Sequence, residues 1–130
     1  MMKQVLLASA LILAPVAAFT GFQVYAKSDS AATAGLGDLS SLKTIIADVQ
    51  VIAAKGDLTA AAKRITDYES AWDEGEAAIR PLNPTYWGNI DQASDAALKA
   101  LRESSPSADK VRKTLVALMA VLNNPAQPAA

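Results

Sequence analysis

The stretch DLTAAAKRITDYESAWDEGEAAIRP at residues 57–81 decides the fold. Its larger apolar and small residues, Leu58, Ala61, Ile65, Tyr68, Trp72, Gly75 and Ile79, alternate at steps of three and four. That period belongs to one face of an α-helix sustained over about three heptads, so the spacing predicts a long helix with a single buried seam. Asp57 is placed to cap its first turn, and Pro81 stops it near Arg80, because the residue before a proline is pushed away from the helical region.

The flanks repeat the pattern. Upstream, Leu42, Ile45, Ile46, Val49 and Ile52 predict a first helix over 39–55, capped by Asp38 or Ser40 and ended by Gly56 in the left-handed region. Downstream, Asn83-Pro84 and Ser105-Pro106 each pair a capping side chain with proline at the first helical position, where the missing N–H is no loss. The third helix should bury Trp87, Ile90, Ala97, Leu98 and Leu101, with Ser94 or Ala93 as the small residue between. The fourth should bury Val111, Leu115, Leu118 and Leu122 and end at Asn123-Asn124-Pro125. Four helices, each roughly 25 to 33 Å long and joined by short connections, fold as an all-α, up-down-up-down four-helix bundle, since such loops cannot cross a bundle.

Further outward, the first residues read as a secretory signal peptide. Lys3 supplies the positive start, residues 5–19 form an apolar run interrupted by Pro15, and Val24-Tyr25-Ala26 offers the cleavage site. The expected organisation is a signal peptide at 1–26, a flexible linker at 27–37 rich in Ser, Ala, Gly and Thr, a bundle at 38–124, and a disordered Pro-Ala tail at 125–130. This places the working protein in the periplasm or outside the cell, with no membrane attachment after cleavage.

Composition narrows the chemistry. The chain carries 12 basic and 13 acidic residues. Removing Lys3 with the leader leaves a near-neutral domain, which gives no electrostatic footing for nucleic acid or an anionic membrane surface. There is no cysteine and no histidine. An exported domain of this kind therefore holds together by packing alone, and thiol or imidazole nucleophiles, zinc, haem and iron–sulfur sites lose their usual ligands. No acid/base pair has surroundings that would separate two pKa values, so no enzyme is expected.

The densest chemistry lies on helix two and the turn after it. Glu69, Asp73, Glu76 and Arg80 step by four, three and four beside the Tyr68 and Trp72 seam. Carboxylates so spaced are candidate ligands for a hard cation, which prefers oxygen donors. A metal cation is the one cofactor the residues leave open. The ordinary reading of such a stripe is a solvated face paired with Lys or Arg on a neighbouring helix, and no Glu-x-x-His pair completes a bundle metal site.

Tyr68, Trp72, Tyr86, Trp87 and Arg80 are candidates for a partner-binding patch. The two tryptophans are expected to pack together, with the Tyr68 and Tyr86 hydroxyls at the surface and Gly75 making room for the Trp72 indole. Asp91 and Asp95 are expected to face Lys99 and Arg102 along helix three. On helix four, Val116 and Met119 mark a face for homodimerisation.

Taken together, Lys55-Gly56-Asp57, Ala61-Ala62, Tyr68-Glu69, Glu76, Pro84 and Ile90-Asp91 resemble the helical periplasmic modules of bacterial high-affinity iron permeases. The resemblance covers about half of the expected mature chain and implies a detached periplasmic module near metal uptake, with Glu69, Asp73 and Glu76 as its metal positions. The permeases' Arg-Glu-x-x-Glu signature and their membrane helices are absent from this sequence. The function expected from the residues is an accessory or partner-binding bundle of the bacterial envelope, with periplasmic cation binding as the alternative.

Overall fold

The computed structural model describes residues 35–129, and within them four helices follow one another: α1 (Ser40–Ala54), α2 (Leu58–Ile79), α3 (Pro84–Arg102) and α4 (Ala108–Asn123). The expected signal peptide and most of the expected linker lie outside the described residues. The fold is an all-α four-helix fold with no strand among the described residues.

Each helix begins where a side chain can satisfy a free backbone N–H. Asp57 accepts from Ala60 N at 2.9 Å to start α2, and Asn83 accepts from Tyr86 N at 3.1 Å to start α3, with Pro84 in the first turn. Two starts differ from expectation. At α1 the capping position is Leu39, which has no side chain to offer, and Asp38 instead takes the Ser40 N–H at 2.9 Å. At α4 the cap is Ser107, whose Oγ accepts from Lys110 N at 3.3 Å, so Ser105-Pro106 precedes the helix and does not open it. Ser107 also has Asp109 two residues on, an acid in the first turn where the helix macrodipole favours one.

Gly56 ends α1 at φ +86°, and its N–H bonds to Ala53 O at 2.9 Å. This left-handed turn lets α2 begin only two residues later.

α1 packs on α2 and α4, and α3 packs on α2 and α4, so the helices enclose one core. Leu42, Ile46 and Val49 enter it from α1; Ala61, Ile65, Tyr68 and Trp72 from α2; Ile90, Ala97 and Leu101 from α3; Val111, Leu115, Leu118 and Leu122 from α4. Burying each large aliphatic side chain contributes about 1.5 to 3 kcal/mol. Ala93 and Ser94 are both buried, where the sequence pattern asked for one small residue. Ile45, Ile52 and Ile79 are only partly covered, because they sit at the edges of their helical stripes.

The ends are more engaged than their composition suggests. Leu36, in the segment read as linker, is 2% exposed and joins the core with Leu39. Pro125, in the segment read as disordered tail, is buried, and its carbonyl accepts a 2.9 Å hydrogen bond from Asn89 Nδ2. One apolar contact and one side-chain donor are enough to dock a segment whose own residues look unstructured.

Candidate functional site

The seam of α2 delivers its aromatics inward. Tyr68 is fully buried, contrary to the expectation that its hydroxyl reaches the surface. That hydroxyl lies 2.7 Å from Ser94 Oγ, and Ser94 Oγ in turn donates to Ile90 O at 2.8 Å. The single serine proton is committed to Ile90, so Tyr68 is the donor to Ser94. Burial pushes the Tyr68 hydroxyl well above its ordinary pKa, with Asp91 adding to the rise and the bond to Ser94 opposing it.

Trp72 is 3% exposed and stacks on both sides: its ring lies 6.4 Å from Tyr68 at 7° and 5.6 Å from Trp87 at 11°. Its Nε1 donates to Asp91 Oδ1 at 3.0 Å. The expected pairing of the two tryptophans is therefore present, but Tyr68 and Trp72 belong to the core and leave the partner-binding patch. Gly75 also differs from expectation. A Cβ there would meet Ile79 Cδ1 at 3.1 Å, so the glycine accommodates a side chain one turn along its own helix and not the indole.

The acidic stripe is divided among arginines. Both Glu69 oxygens accept from Arg102 on α3, at 2.8 and 3.1 Å, in a bidentate pair. These hydrogen bonds hold the Glu69 carboxyl below its ordinary range, with burial opposing them and the Arg102 charge adding to them. Glu76 accepts from Arg80 at 3.1 Å, and Asp73 is exposed. Arg102 thus crosses to Glu69 on α2, and Asp91 takes the Trp72 indole N–H, so the expected run of charges along α3 is not the pairing observed for these two residues. Among the described residues no three acids come together in a group that could hold a metal ion; Glu69 and Glu76 are each engaged by an arginine.

What remains at the surface is the tip between α2 and α3. Arg80 lies over the Trp87 ring at 4.9 Å while also bonding Glu76, a cation–π contact worth about 0.5 to 1 kcal/mol at an exposed site. Tyr86 and Trp87 are half-buried against the core. Trp87 Nε1 is a buried donor that no acceptor meets among the described residues. Leu82, at the centre of the tip, is 59% exposed. Sequence periodicity could not single out Leu82, since it lies in a turn with no face to assign.

A second feature is a cavity of about 390 Å³ between the end of α1 and the start of α4, with Ala53, Ala54, Leu115 and Val116 as its apolar walls and Gln50 and Arg112 at its rim. Arg112 is already bonded to Asp109 at 2.7 Å. Of the face expected for homodimerisation, Val116 is 52% exposed and Met119 packs against the core.

No helix among the described residues is long and apolar enough to cross a membrane. No family model matches this chain, and neither the curated proteins nor the solved structures contain a match to it.

Proposed function

We propose that this chain is a small exported, non-enzymatic bundle, up-down-up-down behind a cleaved leader, that works as an accessory or partner-binding protein of the bacterial envelope. The observation that carries this reading is the tip at residues 80–87. Leu82 stands exposed in the same turn as an arginine held over a tryptophan face, and Tyr86 packs against the core. Arginine and aromatic groups around an apolar centre are the residue types that dominate binding energy at protein interfaces. Here their geometry is fixed by the core stack, so a partner would meet a pre-ordered surface.

The resemblance to iron-permease modules fits an accessory that acts through protein contact. Glu69 and Glu76 engage arginines, so carboxylate ligation is disfavoured as the working chemistry.

A photo-crosslinking residue at position 82, compared with one at exposed position 77, tests the reading in intact cells. The expected result is a discrete adduct from 82 alone. Equal labelling from both positions, or from neither, overturns it. Calorimetry with iron, copper, manganese and calcium on the native chain and on Glu69→Gln/Glu76→Gln is expected to give no saturable heat that depends on the two acids.

A further inference from the structure

Charge is divided between the two ends of α2. The segment 70–95, which runs through the tip, holds five acids against Arg80 alone, and the segment 96–117, which runs into α4, holds five bases against two acids. On the tip side Asp73 and Glu74 are exposed and have no ion-pair partner among the described residues. α2 also ends with no basic residue in its last turn, so the negative end of its macrodipole adds to theirs. On the other side Lys55 follows Ala54 in the chain, and Asp109 is one carboxylate serving both Arg112 and Lys113. The cavity between the end of α1 and the start of α4 therefore opens in basic surroundings.

Shape is divided the same way. Leu82 stands 59% exposed next to Pro81, in a turn that its own N–H closes on Ile79 O at 3.1 Å. The cavity of about 390 Å³ has apolar walls at Ala53, Ala54, Leu115 and Val116, and an apolar space of about 150 Å³ already holds a benzene-sized molecule. Leu82 has no route to it within one molecule. The cavity lies by the residues just before α2 and Leu82 just after it, and the 22 residues of α2 keep them about 33 Å apart.

We propose that the tip of one copy docks in the α1–α4 cavity of a second copy, with Leu82 entering the apolar walls and Asp73 and Glu74 facing the basic start of α4. The two surfaces differ and belong to opposite ends, so the contact is heterologous and runs head to tail, into a ring if the rotation closes and a chain if it does not. It is distinct from a two-fold pairing through α4, in which Val116 would meet Val116. This contact rests on the reading of the tip as a docking surface and names what docks there. One apolar side chain with charges around it makes a small interface of the weak, transient class.

Sedimentation velocity on the chain as cells produce it, over rising concentration, reads the association. The expected result is a mass that grows with concentration at low salt and returns to the monomer at high salt, since the screening length falls from about 10 Å at 0.1 M to about 3 Å at 1 M. Leu82→Asp spoils only the tip and Val116→Asp only the cavity, and both positions are more than half exposed, so neither change touches the core. Each variant alone should stay monomeric. Their equimolar mixture should form a one-to-one dimer that grows no further, because the intact tip of the second fits the intact cavity of the first. A native chain that stays monomeric at every concentration overturns the proposal, as does a mixture that stays monomeric or an association that Val116→Asp leaves intact.

Asp73→Lys/Glu74→Lys keeps both apolar parts and reads the charges alone. Like charges across the contact should weaken low-salt association about tenfold or more; association equal to that of the native chain overturns the proposal. Crosslinking from position 82 separates this contact from the reading it rests on. An adduct at twice the mass of the chain supports both. An adduct of another mass, with a monomeric chain in solution, overturns self-docking and keeps the tip, and no adduct at all removes the tip as well.

Discussion

Removing the acceptor of the buried Tyr68 hydroxyl should cost more than removing the hydroxyl itself. Tyr68 is fully buried and donates to Ser94 Oγ, which is itself bonded to Ile90 O. In Tyr68→Phe the serine keeps its own bond to Ile90, so the loss is one net hydrogen bond, about 0.5 to 1.5 kcal/mol. In Ser94→Ala the phenol stays buried with no acceptor and bears its desolvation penalty, about 1 to 3 kcal/mol. The double variant has no stranded group and should cost less than Ser94→Ala alone.

Urea or thermal unfolding reads these differences, since 1 kcal/mol moves the Tm of a domain of this size by roughly 4 to 8 °C. The same hydroxyl gives an independent check in alkali. Its folded pKa is raised from 10.0, so above that pH the unfolded chain releases the proton first. Stability must therefore fall as pH climbs from about 10 through the folded value, and Tyr68→Phe should flatten that limb. A Tyr68→Phe loss equal to or greater than that of Ser94→Ala, or strictly additive single losses, would mean that the hydroxyl has another acceptor and refute the reasoning.

Two further outcomes follow from local geometry. Gly56→Ala should destabilise by about 1 to 2 kcal/mol from backbone strain alone, because φ is +86° and a Cβ there would meet nothing within 4 Å; Gly56→Asn should recover part of the loss in the same denaturation assay. Glu69→Gln should cost less than about 1 kcal/mol, since the pair with Arg102 is partly solvated. The folded Glu69 carboxyl lies below 4.5, so its contribution is present above that pH and lost as pH falls through the folded value; the variant should show a shallower acid limb in Tm against pH.

Much of the fold was legible because its determinants are local. The row Leu58, Ala61, Ile65, Tyr68, Trp72 carries its own period, and Asp57 and Asn83 cap the helices that the sequence assigned to them. Ser107 displaced Ser105 as the cap of α4: two serines flank Pro106, and it is Ser107 whose Oγ meets the Lys110 N–H. The site was less legible. Tyr68 and Trp72 have the residue types of a binding patch and of a core alike, and the spacing that marks them as a seam says nothing about which polar groups will face them.

The sequence by itself determined the number of helices, their seams and most of their ends, because periodicity, caps and left-handed glycine act within a turn or two of chain. Tertiary structure alone decided the partners: Ser94 for Tyr68, Asp91 for Trp72, Arg102 for Glu69, and Asn89 for the carbonyl of Pro125. Each of those bonds joins residues at least 19 positions apart, and their meeting is set by the rotation and register of one helix against another, which no single helix encodes.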